Sequence, residues 1–147
     1  MTRPNAVLAL KEEDRPRGKS KDERLKPVDL ARYKLEEDIQ IEVATYLDRV
    51  LPKDWRWYHC PNGGHRLKAV AAKLKASGVK AGVPDCTILR PNGAPIYIEL
   101  KAFAGVLTPA QERWRDWCSQ SQQPYRVCRS VGEVEIFLKD FIARGLA

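Results

Sequence analysis

At 147 residues, with 44% hydrophobic and 8% aromatic side chains, the chain has room for one domain with a core of its own. No apolar run approaches the roughly 18 residues that a membrane-spanning helix needs, and charge breaks up the N-terminus too early for a secretory signal, so a cytoplasmic protein with no membrane partner is expected. The net charge of +7 points toward a polyanion such as nucleic acid: no acid falls between Asp54 and Asp85, a stretch that holds Arg56, Arg66, Lys68, Lys73, Lys75 and Lys80, although a solvated helix face accounts for that stretch equally well.

Residues 1–28 are rich in charge and broken by Pro4, Pro16, Gly18 and Pro27, and read as a disordered basic tail. Residues 29–147 read as a single domain. Over Val28–Val50, Leu35, Ile39, Val43, Tyr46, Leu47 and Val50 recur at three- and four-residue steps and predict a helix with one apolar stripe. Trp55–Cys60 predicts a short aromatic strand, ended by the turn Pro61-Asn62-Gly63-Gly64. Arg66–Ser77 predicts a second helix with Leu67, Val70, Ala71 and Leu74 inward and Gly78 as its C-terminal cap.

Asp85–Arg90 and Ile96–Phe103 predict two strands joined by a hairpin through Pro91-Asn92-Gly93-Ala94-Pro95. Thr108-Pro109 has the form of an N-cap followed by proline at the first helical position. The helix Pro109–Ser121 is expected to bury Ala110, Trp114, Trp117 and Cys118. A strand over Tyr125–Ser130 and a helix over Val134–Ala143 close the chain. The expected fold is a mixed α/β (α+β) domain, a sheet of about four strands flanked by helices in the order α-β-α-β-β-α-β-α. Cys60, Cys86, Cys118 and Cys128 form no C-x-x-C pair and read as small buried hydrophobes. A zinc site from His59, Cys60 and His65 would fit no common ligand spacing.

The chemistry concentrates at Pro84-Asp85 and Glu99-Leu100-Lys101. Side chains alternate along a strand, so Ile96, Ile98 and Leu100 share one face while Tyr97, Glu99 and Lys101 share the other. A hairpin turning about Asn92-Gly93 would place Asp85 opposite Leu100, next to Glu99. Two carboxylates this close repel unless a cation lies between them or one is protonated. An all-oxygen site of this kind suits Mg²⁺ or Mn²⁺. Lys101 could orient an attacking water or stabilise charge on a phosphate. An isolated Glu-x-Lys on a strand is more often a plain surface ion pair.

Gly82-Val83-Pro84-Asp85, then Ile98-Glu99-Leu100-Lys101, then Leu107-Thr108-Pro109-Ala110-Gln111 together resemble the VRR-NUC family, a branch of the PD-(D/E)XK nuclease superfamily. The turn Asn62 to Gly64 and the segment Leu74 to Val79 resemble its compact phage-type members, which implies a phage or prophage origin. The resemblance implies that Asp85 and Glu99 hold the metal with the backbone carbonyl of Leu100, and that Lys101 is the catalytic lysine. It further implies an acid on the first helix, best matched by Glu36, which pairs with Gln40 at i, i+4; Glu37 is the competitor. Gln111 matches the family's helix glutamine beside the active site.

Among weaker candidates, Asn62, Arg66, Lys73 and Lys80 are plausible phosphate contacts on charge and proximity. His59 and His65 flank the glycine turn and read mainly as residues without chemistry. Trp55, Trp57 and Tyr58 read as core rather than as stacking surfaces, as do Trp114 and Trp117. The expected activity is Mg²⁺- or Mn²⁺-dependent endonucleolytic cleavage of duplex or branched DNA. The alternatives are a junction resolvase acting as a homodimer and a nucleic-acid-binding module without catalysis.

Overall fold

The computed structural model describes residues 27–62 and 67–145, with side chains from Glu36 onward. All but the last two residues of the expected basic tail lie outside the described residues, and so do His65, Arg66 and the side chain of Leu35. The elements follow the expected order: α1 (Pro27–Val50), β1 (Arg56–His59), α2 (Lys68–Ala76), β2 (Cys86–Arg90), β3 (Gly93–Leu100), α3 (Pro109–Gln120), β4 (Tyr125–Cys128) and α4 (Val131–Gly145). No helix among the described residues is long and apolar enough to cross a membrane.

The four strands form one mixed sheet in the order β1-β2-β3-β4. The first two pairings are antiparallel and the third, β3 with β4, is parallel. A parallel pair needs a crossover, and α3 supplies it. Val43, Tyr46 and Leu47 of α1 pack with Val134 and Leu138 of α4 onto Cys86 and Ile88 of β2 and Ile96, Ile98 and Leu100 of β3. The expected alternation holds, for Ile96, Ile98 and Leu100 of β3 enter this core. On the other sheet face, Trp114 of α3 stacks at a tilt on Tyr97, with ring centroids 5.8 Å apart. Cys86, Cys118 and Cys128 are buried, Cys60 is half-buried, and all four thiols are free.

Three expectations need correction. First, α2 buries none of its residues. Leu67 is 74% exposed, Val70 and Ala71 are also exposed, and Leu74 is only half-buried, so among the described residues the stripe expected to face inward joins no buried core. Helical spacing makes a stripe but cannot supply a surface to cover it. The helix does end as expected: Gly78, at φ +102°, closes a Schellman motif in which Val79 donates its N–H to Leu74 and Gly78 donates to Lys75. Second, Trp117 is 47% exposed, Ala110 and Trp114 are only half-buried, and Cys118 is the buried residue of α3.

The third correction concerns register. Cys86 pairs with Ile98, Thr87 with Tyr97 and Ile88 with Ile96, whereas Arg90 pairs with Gly93. Two residues of β3, Ala94 and Pro95, thus oppose Leu89 alone, which is a β-bulge. Proline fits there because it has no N–H to offer the ladder. Arg90 clamps the bulge, donating from Nε and Nη2 to the Ala94 carbonyl at 3.0 and 2.7 Å. Continuing the register beyond Cys86 and Ile98 brings Asp85 level with Glu99, not with Leu100.

Candidate active site

Strand β3 delivers Glu99 to the centre of the sheet, where its side chain is 1% exposed. Lys101, just past the strand's end and 8% exposed, sets its Nζ 3.1 Å from Glu99 Oε1. Gln111 Nε2 donates to the same oxygen. The other oxygen, Glu99 Oε2, is buried and has no hydrogen-bond partner. A buried carboxylate oxygen without a donor is costly unless a ligand satisfies it.

Asp85 arrives on a tightly shaped approach. Pro84 is fully buried, and Gly82 at φ +80° lies against the start of α3. A Cβ on Gly82 would stand 2.4 Å from the Ala110 carbonyl and 2.8 Å from the Gln111 nitrogen, so glycine is required on both counts. The backbone N–H of Leu100 donates to Asp85 Oδ2 at 2.7 Å. His59 Nδ1 lies 2.8 Å from the Asp85 carbonyl, which can only accept, so that nitrogen carries the proton.

Gln111 is held from its own helix. Thr108 and Gln111 form a reciprocal capping box, with Thr108 N–H donating to Gln111 Oε1 at 2.9 Å and Gln111 N–H to Thr108 Oγ1 at 3.3 Å. The amide oxygen is spent on the cap and the amide nitrogen is left for Glu99.

From α1, Glu36 Oε1 accepts the Ala102 N–H at 3.2 Å. A Cβ on Gly105 would lie 3.2 Å from that oxygen and 3.3 Å from Lys101 Cδ, so Glu36 and Lys101 close around a glycine. Gln40, one turn on, contacts Cys86 Sγ at 3.5 Å. Of the two first-helix candidates, Glu36 reaches the cluster, and Glu37 is exposed.

These carboxylates disturb one another. Burial pushes the Glu99 carboxyl up to about 7, and the neighbouring Asp85 charge adds to the rise. The Lys101 ammonium opposes it, and Glu36 adds a smaller push. Burial likewise raises Asp85, against the Leu100 N–H, Lys101 and His59. No preset group of three His, Cys, Asp or Glu ligands exists among the described residues; each carboxylate of the cluster turns one oxygen toward a protein donor. The donor set itself is all oxygen, anionic and partly unsatisfied, which suits a hard divalent cation.

The remaining candidates lie apart. Asn62 donates to the Val83 carbonyl at 3.2 Å and so braces the approach to Asp85. Lys73 and Lys80 are exposed on and beside α2. Trp55 is core, Trp57 donates its indole N–H to Asp48, and Tyr58 is exposed. Arg129 escaped sequence reasoning because it follows β4 with no motif around it. Its Nη1 donates to the carbonyls of Ala102, Gly105 and Phe103 at 2.6, 3.0 and 3.3 Å, and so fixes the loop after Lys101.

The family profile described as the VRR-NUC domain matches residues 20–132. Among solved structures, a VRR_NUC domain protein is similar at 27% sequence identity and a TM-score of 0.60, over 74% of this chain and 88% of that one. No curated protein matches the chain.

Proposed function

The chain belongs to the VRR-NUC domain family, a nuclease-type domain of the PD-(D/E)XK superfamily, and from that premise we propose that it is a Mg²⁺- or Mn²⁺-dependent endonuclease acting on DNA. The observation that carries this reading is the unpartnered, buried Glu99 Oε2, gathered with Asp85, Glu36 and Lys101. Asp85 and Glu99 would hold the cation, joined by Glu36 and the Leu100 carbonyl. Bound there, the cation would lower the pKa of a water and polarise a phosphate oxygen.

The chain's own residues do the rest. Lys101, held by its ion pair with Glu99, presents an ammonium that can donate to the attacking water or to a phosphate oxygen, where negative charge grows in the transition state. Gln111 and the Leu100 N–H fix the rotamers of Glu99 and Asp85. The Ala102 N–H does the same for Glu36. Arg129 holds the loop from which that N–H points.

The test is a cleavage panel of duplex, nicked, flapped, four-way and single-stranded DNA with Mg²⁺ or Mn²⁺, run beside EDTA and Lys101→Ala. Cleavage that needs the metal and is lost in Lys101→Ala supports the reading. Cleavage that persists in EDTA and in the variant sinks it. Light scattering on the same samples decides whether activity on four-way junctions comes with a dimer.

A further inference from the structure

We propose that the open cleft on α3 is a stacking site for an unpaired nucleobase of a DNA strand held at the carboxylate cluster. The cleft, about 360 Å³, is lined by Ala81, Ala110, Arg113, Trp114 and Trp117. Four of these occupy positions i, i+3, i+4 and i+7 of one helix face. Ala110, Trp114 and Trp117 are expected to be core, yet among the described residues the cleft stays open. Trp117 stands half exposed, edge-on to Trp114 at 5.4 Å, and Trp114 in turn leans on Tyr97.

The occupant follows from chemistry and place. An exposed indole backed by a second aromatic ring is a rigid platform, and every base offers a π-face to such a platform. Arg113 brings to the same cleft a guanidinium with no acidic partner among the described residues, suited to a phosphate or to stacking on the base. Arg115, by contrast, is spent on Asp116 at 2.9 Å. The cleft is also joined to the site along the chain. Ala110 precedes Gln111, which touches Glu99, and Ala81 precedes Gly82, on the approach to Asp85. A strand with its phosphate at the carboxylates therefore passes the indoles within a few residues of the chain. A paired base hides its face in the duplex stack, so the cleft selects strands with an unpaired nucleotide beside the scissile bond.

The choice of DNA rests on the nuclease reading above, and the experiment separates the two. Labelled oligothymidine and the same strand carrying abasic residues are titrated with the protein in EDTA, followed by anisotropy. The intact strand is expected to bind about fivefold to a hundredfold more tightly, the range that stacking of one base produces. Trp117→Ala removes most of that preference, and Trp117→Phe, which keeps a ring, retains most of it. Trp117 is half exposed, so both variants should fold, and circular dichroism checks this. Equal binding of the two strands by the wild type, or an unchanged preference in Trp117→Ala, overturns the proposal. So does a dimer that Trp117→Ala turns into a monomer with the preference intact, for the face would then belong to a second copy. A protein that cuts no DNA in Mg²⁺ loses the nuclease reading alone, since the EDTA ratio still decides the stacking site.

Discussion

Leu100 donates its backbone N–H to Asp85 Oδ2 at 2.7 Å, so the strand that carries Glu99 also grips the carboxylate that faces it. That bond holds one carboxylate beside another, with the Lys101 ammonium as counter-charge. Asp85→Asn keeps the shape and removes the charge. Cleavage is expected to fall about a hundredfold or more, with no loss of thermal stability in EDTA, because a repelling buried charge has gone. Melting curves in EDTA beside cleavage rates check both halves. A variant that cuts normally would remove Asp85 from the chemistry.

Glu99 gives a pH signature. Its carboxyl stands near 7 in the folded chain against an ordinary value near 4.5, so its folded pKa is raised. The unfolded chain gives up this proton first. Without metal, the stability that Glu99 contributes is therefore fully present below about pH 4.5 and is lost as pH rises through about 7. A bound cation requires the ionised form. The rise in melting temperature on adding Mg²⁺ should thus be small near pH 5 and full above pH 8. Glu99→Gln should flatten both trends, and a metal-induced shift that does not change with pH contradicts this account.

Gln111 and Thr108 separate capping from catalysis. Thr108→Ala removes one half of the capping box and should cost about 1 kcal/mol of stability with little change in rate. Gln111→Ala removes the other half together with the amide that orients Glu99. A similar stability cost should then come with a tenfold to hundredfold loss of cleavage, the scale seen when an outer-shell partner of a metal ligand is lost. Denaturant melts and single-turnover rates on both variants test the split.

Gly82→Ala meets the Ala110 carbonyl at 2.4 Å and must hold φ +80°. Backbone, not a flexible side-chain tip, stands in the way. The expected cost is about 1–3 kcal/mol of stability. Activity should fall further than stability alone explains, because the collision displaces the turn that carries Gln111. Gly78→Ala, with open space around it, shares the positive φ and is the control.

Much of this was readable from residue order. Alternation along β3 put Glu99 and Lys101 together, and Thr108-Pro109 announced α3. Both are local, since a strand's period and a cap's hydrogen bonds are set by neighbours in the chain. What failed was long-range. The apolar stripes of α2 and α3 are real, but whether a stripe is covered depends on elements distant in sequence. Trp117 was misplaced for that reason. Arg129 binds a loop more than 20 residues earlier, and no spacing rule reaches that far.

The bulge at Ala94-Pro95 sets the phase of the site. Carried back from Arg90 and Gly93 without it, the pairing would bring Asp85 level with Ile98, whose side chain points into the core. One supernumerary residue, clamped by Arg90, turns a carboxylate from the core side of the sheet to the side that holds Glu99 and Lys101. The information lies in a count and not in a side chain. Scanning mutagenesis, which preserves the count, would pass over it, whereas removing Ala94 should silence the protein while leaving Asp85, Glu99 and Lys101 all in place in the sequence.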